Sequence, residues 1–469
     1  MKFFKKASAL AMCACMSISS YSFVMAADTT PKTASVYING NELDLSGTTP
    51  LIKSDRVFVP LRPIFEALGA EVGYEADTKT VTADKEGKHV EFNVGSTEVK
   101  VTDNGALNKM TIDAPSFIES SRTYVPVRFA AQALGCNVGW DGTEKAVIIA
   151  DKEAFIKENG ASFDIANKIS EFANKAAAEK SKVSGTINFS TTIKDEKDYT
   201  LSGKMTINGK ADSNNAEINT AIELNEKELK ELADKFTAEL EGEAKTETEE
   251  IFDQLQKSNI DFILDGETLT FYVKSNILSI FTGGPVDTWY KIDISELYSD
   301  LGMGNIKDII KNNQNASIEE QLAECIDTVP LNSLEESNVL FETYGSVIKM
   351  FSDESFKETA DGYVSTLHSS LAEGMELSTT MKATTDSEKN ITGFGIDVKA
   401  LMDGKEVVAL NVNTTDKNTT FGLNMTAEDL FTFNANGSVN LEKTTEEISK
   451  APNGTVVNLN NVIPKLISE

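Results

Sequence analysis

The 469-residue sequence contains only two histidines, four cysteines and two tryptophans. Two histidines leave almost no material for a histidine-ligated metal site or a Ser-His-Asp triad. Basic residues are also few: 44 lysines and arginines face 73 aspartates and glutamates, a formal net charge of −29 at pH 7. Such a charge repels phosphate backbones and anionic lipid heads, which argues against nucleic-acid binding. We therefore predict a non-enzymatic protein with no catalytic residue, no metal and no cofactor.

Long hydrophobic runs are absent after residue 26, so no membrane span is predicted in the mature chain. Residues 1–26 have the layout of a signal peptide, with Lys2, Lys5 and Lys6 before a stretch of apolar and small residues. A membrane anchor would need about 20 strongly apolar residues, and serines dilute this stretch. Cleavage near Ala26 is predicted, which would place the mature protein outside the cell or at its surface.

Cysteines are too few for a disulfide framework. Cys13 and Cys15 lie inside the signal stretch in a poor context for lipid attachment. Cys136 and Cys325 remain, and one disulfide between them is conceivable. The interpretation we favour is two buried, small apolar side chains.

An internal repeat organises the first third of the chain. The segment that begins at Arg56, RVFVPLRPIFEALGAEVGYEADTKTVT, aligns without a gap with the segment that begins at Arg122, RTYVPVRFAAQALGCNVGWDGTEKAVI, at a constant offset of 66 residues. Each copy predicts a strand, a short helix and a hairpin. The helix follows a proline, which suits a first helical position, and ends at Gly69 or Gly135, since helix ends often need left-handed backbone angles. One α+β module over residues 35–151 is therefore predicted.

The paired V-P-[LV]-R and A-L-G-[AC]-x-V-G-[YW] motifs resemble the copper amine oxidase N-terminal-like domain, also called the stalk domain, of exported proteins from Gram-positive bacteria. The resemblance implies a non-catalytic module rather than the oxidase. Copper oxidases need several histidine ligands and a tyrosine in an Asn-Tyr context. This module contains only His89, and the chain contains no Asn-Tyr pair. No copper site is expected.

All the arginines of the chain occupy equivalent positions of the two copies, namely Arg56, Arg62, Arg122 and Arg128. Arginine differs from lysine in its planar fork, which suits bidentate pairing with carboxylates. One hypothesis is that Arg62 and Arg128 bind an anionic cell-wall polymer, with Tyr74 and Trp140 as surfaces for stacking on sugars.

A second interpretation of the same residues is structural, and it is the one we favour. Arg62 and Arg128 would tie helix to sheet through carboxylates such as Glu75 and Asp141, and the two aromatic rings would cap the core. The two interpretations differ in whether these side chains are exposed.

The remaining two thirds of the chain predict a helical linker over residues 152–182 and an antiparallel-sheet domain with helices over 183–469. Helices within this domain are predicted over about residues 226–257 and 334–351. Period-two alternation predicts strands with one apolar face, which includes Phe189, Met205, Ile222 and Phe271. The fold class predicted is α+β: a duplicated strand-helix-hairpin stalk module followed by a curved antiparallel sheet with inserted helices. In layout alone, this part resembles half-barrel carriers of lipoprotein and lipid type found outside bacterial membranes.

Two functions remain. The first is an exported, non-catalytic surface or cell-wall-associated protein whose stalk module provides attachment or spacing. Its candidate partners are a cell-wall polymer or another surface protein. The alternative is an extracytoplasmic carrier of an apolar ligand in the curved sheet. The two differ in whether helices fill the space over the apolar face, and we expect a filled core.

Overall fold

The computed structural model describes residues 34–460, apart from residues 46, 55, 196, 239, 283, 297–315, 328, 373, 428 and 429. The predicted signal peptide lies outside the described residues. The chain divides into two compact units. We call the described parts of residues 22–163 and 317–354 the N-terminal unit, and those of 164–316 and 355–469 the sheet unit.

The N-terminal unit contains three sheets and five helices within its described residues. The strand orders are β12-β13-β1-β2, β10-β11-β4-β3 and β5-β6-β7-β8-β9. The strands are β1 (Ser35–Ile38), β2 (Asn41–Glu42), β3 (Leu51–Lys53), β4 (Arg56–Pro60), β5 (Glu71–Glu75), β6 (Thr80–Lys85), β7 (Lys88–Asn93), β8 (Glu98–Asp103), β9 (Ala106–Thr111), β10 (Phe117–Glu119), β11 (Arg122–Pro126), β12 (Asn137–Asp141) and β13 (Ala146–Ala150). The helices are α1 (Leu61–Ala67), α2 (Val127–Ala133), α3 (Lys152–Asn159), α8 (Ile318–Asp327) and α9 (Leu334–Phe351).

The two repeat copies are related by a pseudo-two-fold axis. Strands β4 and β11 pair antiparallel so that Val59 lies opposite Val125, its own equivalent in the other copy. The flanking pairs are Pro60 with Tyr124 and Phe58 with Pro126, which exchange under the same two-fold operation. Hairpins β5-β6 and β12-β13 also have the same register. The predicted strand, helix and hairpin are therefore present in both copies.

The helix ends of the repeat follow the predicted glycine chemistry. Gly69 and Gly135 have φ angles of 80° and 83°, the left-handed region in which glycine carries no Cβ penalty. Each follows a short helix whose apolar side is buried, including Ile64 and Phe65 of α1, both 0 % exposed, and Phe129 of α2. The two helices thus close one shared core.

Helices α8 and α9 complete the N-terminal unit although they lie more than 150 residues beyond it in sequence. The ring of Phe341 in α9 lies 5.3 Å from that of Phe155 in α3. Ile326 and Ile348, one from each inserted helix, are 1 % exposed. The bounds of α9 match the predicted helix at Leu334. The sequence interpretation had grouped both helices with the sheet domain, and it placed residues 152–182 in one linker helix. The two units instead meet in sequence at residues 163 and 164.

The sheet unit contains one sheet of 14 strands in the order β20-β21-β22-β23-β24-β25-β26-β14-β15-β16-β17-β18-β19-β27. Neighbours pair antiparallel except β19 with β27, and the predicted α+β class with a curved sheet is confirmed. The strands are β14 (Ser181–Ile193), β15 (Tyr199–Ala211), β16 (Ala216–Leu224), β17 (Lys257–Asp265), β18 (Thr270–Ser275), β19 (Trp289–Asp293), β20 (Lys357–Thr359), β21 (Gly362–Ala372), β22 (Met375–Thr385), β23 (Ile391–Met402), β24 (Lys405–Thr415), β25 (Asn418–Ala427), β26 (Phe431–Lys443) and β27 (Val456–Asn458). The helices are α4 (Asp164–Ala178), α5 (Glu226–Thr237), α6 (Gly242–Gln256) and α7 (Asn276–Thr282).

Two features of the sheet unit differ from the sequence-based expectation. The helix predicted over residues 226–257 is two helices, α5 and α6. The helix is interrupted before Gly242, whose φ angle of 61° is not helical. Strands β21 and β22 were not predicted. They contain many serines and threonines and few large apolar residues, so their alternation is weak.

A diagonal line of glycines crosses the middle of the sheet. Gly209 of β15 lies opposite Val183 of β14, Gly185 is two residues further along β14, and Gly437 of β26 lies opposite Ile187. A Cβ on Gly185 or Gly437 would lie 2.5 or 2.4 Å from a carbonyl oxygen of the neighbouring strand. These positions therefore need glycine, and they mark a line along which the sheet can bend.

Candidate functional site

Arg62 of α1 lies at the surface of the N-terminal unit. Its Nη1 donates to Glu66 Oε1 at 3.2 Å and to the carbonyl oxygen of Val72 in β5 at 3.3 Å. The side chain is 57 % exposed. Arg62 therefore joins helix to sheet through a backbone carbonyl, and the predicted pairing with Glu75 is wrong.

Arg128 of α2 is also exposed, and it forms no ion pair or side-chain hydrogen bond with the described residues. Its proposed partner Asp141 is 7 % exposed and is used elsewhere. Asp141 Oδ1 accepts from the backbone N–H groups of Thr143 and Glu144, and Oδ2 accepts from that of Leu334. The interpretation of Arg128 as an internal brace is wrong.

Tyr74 and Trp140 lie on the edge strands β5 and β12 of their sheets. They are 45 % and 36 % exposed, so neither ring caps the core. Arg62 donates to the carbonyl oxygen of Val72, two residues before Tyr74 in β5. The arginine side chain of the first copy therefore reaches the strand that carries the aromatic residue. The second copy does not repeat this contact.

A buried polar network, which the sequence did not predict, lies inside the N-terminal unit. Lys85 Nζ is 2.6 Å from Asp151 Oδ2, and the two side chains are 8 % and 4 % exposed. Asn39 bonds to both backbone groups of Asp151, and Asp151 Oδ1 caps α3 at Ala154 N. The network joins β1, the β6-β7 hairpin and α3, which are far apart in sequence, and no local motif marks it.

The network shifts the pKa of its titratable groups. Burial lowers the pKa of Lys85, but the hydrogen bond and charge of Asp151 outweigh it, so the pKa is raised. Burial, together with the charge of Asp151, raises the pKa of the Cys136 thiol to about 12. No disulfide joins Cys136, which is buried, to Cys325, which is partly exposed. Cys136 is thus kept in its unreactive form at neutral pH.

The sheet unit presents an extended apolar face, defined here by the alternate strand residues that face the same way as Phe189. From β22 across to β16 these positions carry Ile, Leu, Val, Phe, Met, Tyr, Ala, Gly, Thr and Ser, with Lys443 at one end of the strands and Lys405 at the other. Neighbours on this face include Phe189 beside Ala435, Met205 beside Ile222, and Leu423 beside Leu410. The alternation in the sequence predicted this pattern.

Helices contact the sheet at its two sides more than in its middle. The ring of Phe172 in α4 lies 6.3 Å from that of Phe394 in β23, and α5, α6 and α7 contact strands β15 to β18. The backbones of the described helices approach the four strands between, β24, β25, β26 and β14, at few or no positions. Of the residues named for this face from the sequence, Phe189, Met205, Ile222 and Phe271 are all partly exposed.

The opposite, polar face of the same strands is rich in Asn, Thr and Ser. It includes Asn188 in β14, Asn424 in β25 and Asn436 in β26, all exposed. The sheet is therefore amphipathic along its central part, and most apolar positions have a polar neighbour one residue away.

Two further properties concern the described part of the chain. No helix there is long and apolar enough to cross a membrane. No group of three or more His, Cys, Asp or Glu side chains among those residues is arranged to hold a metal ion.

Comparison with known proteins supports the family resemblance predicted for the first repeat-containing segment of the chain. No curated protein matches this sequence. Among solved structures, a DUF1329 family protein from Desulfovibrio piger is weakly similar, with 9 % identity and a TM-score of 0.17 over 63 % of this chain and 95 % of that one. Residues 37–149, about a quarter of the chain, match the family model of the copper amine oxidase N-terminal domain, a non-catalytic domain. The resemblance read from the repeated motifs is confirmed for this segment.

Proposed function

We propose that this chain is an exported, non-catalytic binding protein whose sheet unit carries an apolar ligand, such as a lipid acyl chain, on its apolar face. The observation that carries the proposal is the uncharged middle of that face, four strands wide, which the backbones of the described helices approach at few or no positions. Exposed contiguous apolar surface of more than a few hundred Å² is costly in water and marks binding sites in soluble proteins.

The partial exposure of the face supports the carrier function over the display function, the two that the sequence left open. A display protein would fill this space with its own side chains, as we expected. The buried cluster described there is small, with Val183, Ala211, Ala216 and Ile218 at its centre, and it lies at one end of the strands. With about 4.8 Å between strands, the span from β23 to β15 is about 24 Å, enough for more than one acyl chain.

Binding of a fluorescent fatty acid to the purified chain tests the proposal. Leu423→Asp places a charge on the apolar face and should abolish saturable binding, because an unpaired carboxylate is costly beside an apolar ligand. Asn424→Asp, one residue along the same strand, adds the same charge to the polar face and should leave binding unchanged. Ile187→Asp and Asn188→Asp form a second matched pair on β14.

Native mass spectrometry provides an independent readout on the unmodified chain. A co-purified lipid would support the carrier function. Absence of both co-purified lipid and saturable fatty-acid binding would contradict it. If Leu423→Asp fails to fold, Leu423→Trp fills the same space without a charge, and it should reduce binding capacity instead.

A second function, attachment to a cell-wall polymer through the N-terminal unit, is favoured by one observation: Arg62, Arg128, Tyr74 and Trp140 are all accessible. Retention of the chain on purified cell walls tests it. Tyr74→Ala together with Trp140→Ala should lower retention if the rings stack on sugars. Equal retention of this variant and the unmodified chain would exclude these residues from attachment.

A further inference from the structure

The central strands of the apolar face end in exposed apolar side chains at the turns of the sheet. Ile193, the last residue of β14, lies opposite Phe431 of β26. Leu430 precedes Phe431, and its carbonyl oxygen accepts the N–H of Lys194. Met402 is the last residue of β23, before the turn into β24. Ile193, Met402 and Leu430 are 38 %, 40 % and 67 % exposed, and we call these three residues the apolar rim.

The apolar rim lies at one end of the strands that helix backbones approach least. Pairing places Ile193, Phe431 and Ala427 side by side across β14, β26 and β25, and Met402 lies at the same end of β23. With about 4.8 Å between strands, the rim spans about 19 Å from β14 to β23. The apolar face therefore continues without interruption to exposed apolar side chains at this end.

The opposite end of the same strands is polar. Thr414 and Thr419 lie there on the apolar face, with their hydroxyl oxygens 3.2 Å apart. The turn between β24 and β25 consists of Asp416 and Lys417, both exposed, and Lys443 ends β26. The two ends of the face thus differ in chemistry, and the rim is the apolar one.

Helix α5 borders the rim beside β15. Phe236 in its last turn is 55 % exposed. Lys235 pairs with Asp195 in the turn after β14, and the ammonium groups of Lys235 and Lys197 lie 4.5 and 5.3 Å from the ring centre of Tyr199. A tyrosine beside lysines with long alkyl stems suits the headgroup level of a lipid bilayer, where apolar and polar surroundings meet.

The lysines near the rim are paired with carboxylates. Lys194 lies 2.8 Å from Asp198, and Lys197 lies 3.2 Å from Glu231. The whole chain has a formal net charge of −29. The rim therefore offers apolar contact rather than positive charge, and an anionic lipid surface would repel the chain.

We propose that the apolar rim docks on the surface of a zwitterionic lipid bilayer and that the apolar ligand passes between the bilayer and the apolar face at this end. The rim residues stand singly on separate turns, whereas a protein interface has a contiguous apolar core. A bilayer buries such side chains one by one. The passage of ligand rests on the carrier function proposed above, but the docking does not.

Flotation of the purified chain with phosphatidylcholine vesicles tests the docking. Ile193→Ser together with Leu430→Ser should lower vesicle binding about tenfold, because two half-exposed apolar side chains no longer enter the lipid. Val456→Ser together with Val457→Ser is the matched control. These valines are 41 % and 42 % exposed on β27 at the sheet edge, away from the rim, so binding should not change.

Vesicle binding that the rim variant loses and the edge variant keeps supports the proposal. Absence of vesicle binding overturns it, as does equal binding of the two variants or binding that increases with phosphatidylglycerol. Self-association that the rim variant loses, without vesicle binding, would also overturn it and would make the rim an interface between copies of this chain.

Binding of a fluorescent fatty acid in solution separates this inference from the carrier function. The rim variant should bind the fatty acid as the unmodified chain does, because the ligand lies on the face and not on the turns. Fatty-acid binding without vesicle binding would leave the carrier function standing and overturn the docking. Vesicle binding through the rim without fatty-acid binding would support the docking and contradict the carrier function.

Discussion

Lys85 and Asp151 form an ion pair inside the N-terminal unit, whereas the arginines that stand out in the sequence lie at its surface. The difference decides which charges contribute to stability. An exposed pair is worth about 0 to 1 kcal/mol, while removal of one partner of a buried pair costs about 3 to 5 kcal/mol. Asp151 also caps α3 and is held by Asn39, so its position is fixed by several elements.

The raised pKa of Lys85 makes stability depend on alkaline pH. The stabilisation is complete below the unfolded-state pKa, near the model-compound value of 10.5, and is lost as the pH rises through the higher folded-state pKa. Urea melts between pH 8 and the alkaline limit should show this loss. The variant Lys85→Met with Asp151→Asn removes both charges and should show a shallower decline above that pKa. An identical decline in both proteins would contradict the expectation.

Arg128→Lys should change the free energy of unfolding by less than about 0.5 kcal/mol, since the side chain has no described partner to lose. Arg62→Lys should cost about 0 to 1 kcal/mol through weaker bonding to Val72 and Glu66. Denaturant melts of the two variants check both values. A cost of 2 kcal/mol or more for Arg128→Lys would show a buried role that its exposure does not indicate.

At the scale of elements, glycines determine how closely neighbouring strands approach. Gly185 on the apolar face of β14 faces the backbone of β26, whereas Gly422 in β25 faces only the side chain of Asn411. A backbone contact cannot move aside, but a side chain can rotate. The two glycines therefore differ in what a single added carbon would cost.

Gly185→Ala should destabilise the sheet unit by about 1 to 3 kcal/mol, because its Cβ would lie 2.5 Å from the carbonyl oxygen of Ser438. Gly422→Ala is the matched control and should cost less, since the amide of Asn411 can rotate away. Denaturant melts of the two single variants measure the difference. Equal costs would show that the backbone contact at Gly185 relaxes freely.

Helices α8 and α9 are part of the N-terminal unit, so this unit should not be stable without them. A fragment of residues 27–163 would expose apolar side chains such as Phe155, which packs against Phe341. Fusion of residues 317–354 to this fragment through a flexible linker should restore a cooperative thermal transition. An equally stable fragment without the helices would show that their packing is dispensable.

At the scale of the whole molecule, export remains a prediction from residues 1–26. N-terminal sequencing of the protein recovered from the source organism should find Ala27 as the first residue. The layout of a basic start, a small apolar stretch and Val24-Met25-Ala26 is the reason. An uncleaved chain, or a lipid-modified Cys15, would contradict it.

Much of the architecture could be read locally because turns, glycines and period-two alternation act over a few residues. The duplicated motif, the glycine helix ends and the apolar positions of β14 to β16 were all visible in this way. The exposure of Arg62 and Arg128 could not be predicted in this way. An amphipathic pattern places a residue near the core, but it does not indicate whether a long side chain packs along the protein surface or extends into water.

The sequence by itself determined the duplicated α+β module and the amphipathic strands of the sheet, since both depend on short-range chemistry that repeats along the chain. Only the tertiary structure decided that residues 317–354 return to the N-terminal unit and that Lys85 meets Asp151. These contacts join residues between 66 and about 200 positions apart. Such pairings are set by how complete elements pack against one another, and no local pattern in the sequence carries that information.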